Sequence, residues 1–136
     1  MIELRQVTKM YSRGKQMPVT AVEQIDLKVE PGDFLVITGR SGCGKTTLLN
    51  LVAGLARPNS GGVFVHGIDI WTMRDEDLSA LRNREMGVMF QVPSLLPTLN
   101  VLDNVVVPTM FAPKEKQRDA YQRARQALES VGLAHR

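Results

Sequence analysis

The sequence predicts a layered α/β domain built around a strand buried inside its sheet, and three observations carry that expectation. Apolar periodicity switches between two and 3.6 along the chain, as packed sheets and helices require. The run Phe34-Leu35-Val36-Ile37-Thr38 is apolar on both faces, the pattern of a strand inside a sheet. A Gly-rich loop follows it, and then an amphipathic helical stretch. The 136 residues, 43% apolar and 23% charged, suit one domain with its own core and exclude disorder and collagen-like repeats. A formal charge of +3, scattered along the chain, gives no basic patch for nucleic acid. A single cysteine excludes an internal disulfide framework and suits a reducing compartment. No apolar run approaches membrane-spanning length, and Met1 to Arg5 has no signal-peptide pattern. The expectation is a cytosolic, single-domain protein.

Each element has its own justification. Ile2, Leu4 and Val7 suggest a first half-buried strand. After the polar stretch from Ser12 to Pro18, Ile25, Leu27 and Val29 alternate with Asp26, Lys28 and Glu30, as in a strand with one wet face. Pro31-Gly32 demands a turn before the apolar run. A helix is expected from Thr46 to Ala53, packing through Leu48, Leu49, Leu51 and Val52, with Gly54 as its stop. Residues 57–62, Arg-Pro-Asn-Ser-Gly-Gly, read as a turn cluster. Val63-Phe64-Val65 and Ile68-Asp69-Ile70 read as short strands around His66-Gly67. Residues 75–84 predict a helix with acids in its first turn and Leu78 and Leu81 inward. Val88-Met89-Phe90 predicts a brief strand ending at Gln91. Asn100 is placed to cap a helix from Val101 towards Val107, where Pro108 interrupts. A last helix is expected to show Tyr121, Ala124, Leu128 and Val131 on one face, with Gly132 beyond its end.

The chemistry lies in Gly39-Arg40-Ser41-Gly42-Cys43-Gly44-Lys45-Thr46, which fits G-x-x-x-x-G-K-[ST] between a strand and a helix. A triphosphate offers only oxygens and several negative charges, so its site must converge N–H donors on it. The backbone N–H groups from Gly42 to Thr46 converge only if the loop wraps through unusual φ and ψ with no Cβ in the way. The N-terminus of the following helix adds its dipole. Lys45 is suited to reach the β- and γ-phosphates, and the Thr46 hydroxyl to hold Mg²⁺. Thr47 is suited to the α-phosphate. A chance match of four fixed positions recurs in about one chain in a few hundred, and the strand-loop-helix context lowers that further. Cys43 fills a variable position of the loop, where a small residue fits.

The loop alone indicates only nucleotide binding. Four features together resemble the N-terminal portion of the ATP-binding subunit of ABC transporters, a P-loop NTPase fold. They are Val7-Thr8-Lys9-Met10-Tyr11, the loop through Thr47, residues 55–62, and Met86-Gly87-Val88-Met89-Phe90-Gln91. Residues 95–105 resemble the branch serving lipoprotein release and macrolide-type export, and the resemblance covers essentially the whole chain. It implies an ABC-type α/β nucleotide-binding domain with an N-terminal antiparallel β portion and part of a helical subdomain. It implies ATP and Mg²⁺ as cofactors, with Tyr11, Gly39, Ser41, Gly42, Cys43, Gly44, Lys45, Thr46 and Thr47 as the nucleotide-binding residues. Thr46 and Gln91 are the implied metal contacts, and Lys45 and Gln91 the implied catalytic residues. Tyr11 would stack on adenine, and Gln91 would orient the attacking water, which an amide can do without titrating. Taken by themselves, Tyr11 also reads as a surface tyrosine and Gln91 as a strand-end polar residue.

The resemblance further implies a membrane-spanning permease partner, a second ATP-binding subunit in a dimer, no nucleic acid, and a peripheral location on the inner face of the cell membrane. Residues 95–111, unusually apolar for a loop and helix, read either as a docking face of the helical subdomain or as domain core. Family chains continue past Arg136 with the signature sequence, the Asp-Glu strand (Walker B) and the switch histidine. The expectation is therefore a truncated domain with the phosphate cradle but without catalytic completion, whose central strand would lack a neighbour. His66 reads as a strand-end histidine rather than a ligand, and Ser60-Gly61-Gly62 is not the signature motif. A non-transport ABC-type module and an inactive ATP-binding fragment remain the alternatives. A GTPase is disfavoured because no Asn-Lys-x-Asp motif occurs.

Overall fold

The computed structural model describes residues 1–12, 14, 17–92, 94–111 and 117–135. Arg13, Lys15 and Gln16 of the predicted polar stretch lie outside the described residues. The chain forms two compact units, Met1–Arg82 and Asn83–Arg136. The first contains β1 (Ile2–Tyr11), β2 (Val19–Val29), α1 (Lys45–Val52), β3 (Ser60–Val65) and β4 (Ile68–Asp69), followed by a 3-10 turn Ile70–Thr72 and most of α2 (Asp75–Glu85). The strands form one antiparallel sheet in the order β2-β1-β3-β4. Leu4 faces Leu27 on one side and Val63 on the other, which sets the register.

Leu4 and Val7 are both buried although three residues apart, because the ladder slips between them. Gln6 takes a left-handed conformation there (φ 49°), and the extra residue in the strand turns Val7 back towards the core. The ladder bond lost at this bulge is replaced by Asp26, whose carboxylate accepts the Gln6 N–H at 2.8 Å and also the Gln6 side-chain amide. On β2, Ile25, Leu27 and Val29 are half-buried while Asp26, Lys28 and, just past its end, Glu30 are exposed, as the alternation predicts. α1 lies against β1 and β2. Its Leu51 is fully buried with Leu4, Val7, Val63 and Ile70, whereas Leu49 is exposed. α1 stops at Ala53-Gly54 as expected. The Gly54 carbonyl accepts from Arg82 Nη1 of α2 at 2.7 Å, a cation at the negative end of a helix. His66 and Gly67 (φ 50° and 81°) make the two-residue turn between β3 and β4.

The second unit holds α3 (Val101–Val106), a 3-10 segment Val107–Phe111 and α4 (Ala120–Ser130). Asn100 caps α3 as predicted, accepting the Asp103 N–H at 2.8 Å. Gly132 ends α4 with φ 74°, its N–H and that of Leu133 returning to Glu129 and Leu128. Val106, Ala120 and Ala124 form a small core with Leu102 beside it. Tyr121 donates its hydroxyl to Asp103 Oδ1 at 3.1 Å, and this carboxylate pushes the phenol pKa up from its ordinary value.

Several expectations are corrected. Residues 34–38 pair with no strand among the described residues, and Phe34 is 92% exposed. Residues 88–90 likewise form no strand, with Met89 97% exposed. Apolar composition favours burial, but a strand exists only where a neighbour completes its ladder. The turn cluster is shorter than expected, because Ser60, Gly61 and Gly62 already belong to β3. Ile70 leaves β4 for the 3-10 turn, whose Trp71 N–H is taken by Asp69 Oδ1 at 3.0 Å. α4 turns Ala120, Ala124 and Leu128 inward, while Tyr121 and Val131 stay exposed.

A protein of residues 1–136 alone, with unpaired apolar backbone at 34–38 and 88–90, is expected to self-associate. Sedimentation velocity should show concentration-dependent species, and a monomer with a single sharp melt would contradict this.

Candidate functional site

The loop from Gly39 to Thr46 curls on itself. Gly39, Gly42 and Gly44 have φ of 153°, 79° and 96°. The curl brings Gly39 against Cys43, so that a Cβ on Gly39 would stand 2.8 Å from Cys43 Sγ. The Cys43 N–H closes the inner turn on the Arg40 carbonyl at 3.3 Å. Gly44 is the residue before α1 and has a left-handed backbone. A Cβ there would lie 2.1 Å from the Ala21 carbonyl oxygen of β2, so both conformation and space demand glycine.

α1 begins at Lys45, one residue earlier than predicted, with no side-chain cap and no acid in its first turn. Its initial N–H groups are therefore donors without a side-chain acceptor, at the positive end of the dipole. Lys45 folds back over the loop. Its ammonium donates to the carbonyls of Gly39 at 2.8 Å and Arg40 at 2.7 Å, with Cys43 Sγ at 3.7 Å. Thr46 and Thr47 follow in the first turn of α1, and Ser41 is exposed on the loop. The first N–H groups of α1 and the Lys45 ammonium thus bring donors and a positive charge to one loop, and at Gly42 a Cβ would meet open space. This arrangement fits a chain of phosphates. The Thr46 hydroxyl is a hard oxygen donor of the kind Mg²⁺ takes.

Tyr11 belongs to the same unit and ends β1. It pairs with Val19, two residues before the Ala21 whose carbonyl abuts Gly44, so the β1–β2 ladder connects ring and loop. The ring is 45% exposed and has the Lys9 ammonium 5.1 Å from its centroid. Gln91 lies in the second unit and is exposed, just after the unpaired residues 88–90. His66 occupies the β3–β4 turn, and no group of three or more metal-ligating side chains occurs among the described residues. No described helix is long and apolar enough to cross a membrane. Two residues that sequence reasoning missed, Lys9 and Asn59, fasten the end of β1. Only the turn character of Arg57-Pro58-Asn59 hinted at Asn59, whose partner Met10 is 49 residues away.

The family described as ABC transporter matches residues 22–136. An uncharacterized ABC transporter ATP-binding protein, YknY of Bacillus subtilis, is 41% identical over the whole chain, which spans 58% of that protein. The lipoprotein-releasing system ATP-binding protein LolD of Coxiella burnetii is 37% identical over 99% of the chain, again 58% of the relative. The solved dimeric post-hydrolysis state of the ATP-binding cassette MJ0796, bound to ADP and Pi, superposes with a TM-score of 0.85 at 31% identity. That match covers 97% of this chain and 57% of the cassette. The chain thus spans less than two thirds of the proteins it resembles.

Replacing Gly44 with alanine sets a Cβ against the Ala21 carbonyl in a left-handed conformation. We expect a loss of about 2–4 kcal/mol in urea unfolding of the intact protein. A change below about 0.5 kcal/mol would contradict the close approach.

Proposed function

The chain belongs to the ABC transporter ATP-binding family, and from that premise we propose that it binds Mg-ATP at the 39–47 loop and serves a transport ATPase. The observation that carries the proposal is the Lys45 ammonium held by two loop carbonyls at the mouth of an uncapped helix N-terminus. An ammonium has three donors and no fixed plane, so it can exchange carbonyl partners for phosphate oxygens without moving the loop. The N–H groups of Gly42 to Thr46 hold the phosphate chain, while Thr46 holds the metal and Thr47 the α-phosphate. Ser41 and Cys43 extend the donor set, and Gly39 and Gly44 let the loop pack closely enough to hold its curl. Thr46 would hold Mg²⁺, whose positive charge would offset that of the phosphate oxygens. Tyr11 offers its ring face to the base. By the resemblance, Gln91 would orient the attacking water through an amide that neither gains nor loses charge.

The likeness of residues 95–105 to the lipoprotein-release branch, and the LolD relatives, support export through a separate membrane-spanning permease. The dimeric cassette supports action as a pair of ATP-binding subunits. Such a protein works on the cytoplasmic face of the membrane.

Calorimetry of the intact protein tests the proposal. Lys45→Ala should lower Mg-ATP affinity by about a hundredfold, and unchanged affinity would sink it. Gln91→Ala should leave ATP affinity within about twofold while slowing permease-coupled hydrolysis by about a hundredfold. Full turnover in that variant would remove Gln91 from the mechanism.

A further inference from the structure

The strand end that carries Tyr11 is fastened from an unexpected side. β1 and β3 lose register between Arg5 and Thr8, and their final pair is Thr8 with Ser60. Beyond that pair the ladder is continued by a side chain. Asn59 donates its N–H to the Thr8 carbonyl at 2.8 Å, and its Oδ1 accepts the Met10 N–H at 2.8 Å. One amide therefore stands in for the carbonyl that a longer β3 would have supplied. Lys9, between these two positions, donates to the Arg57 carbonyl at 2.8 Å. The same ammonium lies over one face of the Tyr11 ring. The turn is anchored in its own right, since the Arg57 guanidinium sits 5.9 Å from the centre of the Trp71 ring.

Without these bonds, Met10 and Tyr11 would be held only by Thr20 and Val19 of β2. A two-stranded ribbon is marginally stable and variably twisted, so β2 alone does not fix the direction of the ring. With them, the ring is held from both sides of β1. The Lys9 cation covers one face, which leaves the other as the surface available for stacking.

We propose that Asn59 and Lys9 are positioning residues that hold Tyr11 as a one-sided platform for the base of a nucleotide whose phosphates lie in the 39–47 loop. The proposal rests on nucleotide binding at that loop. It adds that base contact depends on the turn following α1, so that phosphate cradle and base platform are tied through the two ends of one helix-turn segment.

Two probes separate this proposal from the nucleotide-binding reading beneath it. Mg-ATP senses loop and platform together, whereas magnesium tripolyphosphate senses the loop alone. On the intact protein, Tyr11→Ala is expected to weaken Mg-ATP by about tenfold and leave tripolyphosphate within about twofold. Asn59→Ala and Lys9→Met should each weaken Mg-ATP by about three- to tenfold, again sparing tripolyphosphate. Asn59→Asp, which keeps an acceptor for Met10, should recover most of the loss. Asn59→Ala added to Tyr11→Ala should cost nothing more, because the two act through one contact. Equal weakening of both probes by Asn59→Ala would make it a residue of the fold and overturn the proposal. Loss with Tyr11→Ala but with neither Asn59→Ala nor Lys9→Met would overturn the positioning role and leave Tyr11 standing. Unchanged ATP affinity in Tyr11→Ala would remove the platform itself, while tripolyphosphate binding would still report on the loop.

Discussion

The close approach of Gly44 to the Ala21 carbonyl is the constraint on which the site depends. It places the start of α1 against β2, and so fixes where the positive end of that helix emerges. Any side chain at that position would push helix and strand apart. The loop before it must then cover a short distance with several residues, which it does by curling until Gly39 meets Cys43. Lys45 completes the curl from inside by bonding to Gly39 and Arg40. The charge is thus held in place by neutral carbonyl dipoles.

How much of this was legible in the sequence depends on how local each constraint is. The loop was legible because its glycines, lysine and threonine act within eight consecutive positions. The Asn100 cap and the Gly132 terminus were legible for the same reason, since a cap bonds within one helical turn. The Asp26 clasp on Gln6, the Arg82 bond to Gly54 and the Asn59 bond to Met10 were not. Their partners are 20, 28 and 49 residues apart, and each is a side chain answering a backbone group that only the fold exposes. The runs at 34–38 and 88–90 fail in the opposite direction. Their composition speaks of burial, yet whether a segment becomes a strand is decided by the backbone donors and acceptors beside it.

In the second unit, polar bonds set positions that a larger core would otherwise set. α3 has only six residues, too few to hold a helix by propensity, and its apolar contacts are with small side chains such as Ala120 and Ala124. Asn104 compensates by binding the preceding loop. Its amide donates to the carbonyls of Leu96, Leu99 and Asn100, and its Oδ1 accepts from the Leu96 N–H at 2.7 Å. Asp103 is shared between the Asn100 amide and the Tyr121 hydroxyl, which joins α3 to α4. Leu102 and Val106 pack into this small core, while Leu95, Leu96, Met110 and Phe111 stay exposed on a scaffold defined largely by hydrogen bonds.

Under the proposed function, the two parts of the first-unit site divide the work unequally. Backbone amides and an ammonium read charge and oxygen geometry, and an aromatic face accepts any base of sufficient area. Neither reads the edge of a base, where nucleotides differ in their donors and acceptors. On that reading, these two parts would discriminate weakly among nucleoside triphosphates, and affinity would track the phosphates. The γ-phosphate then matters most, because its removal takes away negative charge from the end of the chain that Lys45 serves. A site organised in this way distinguishes triphosphate from diphosphate better than one base from another, which is the discrimination an energy-coupled cycle needs.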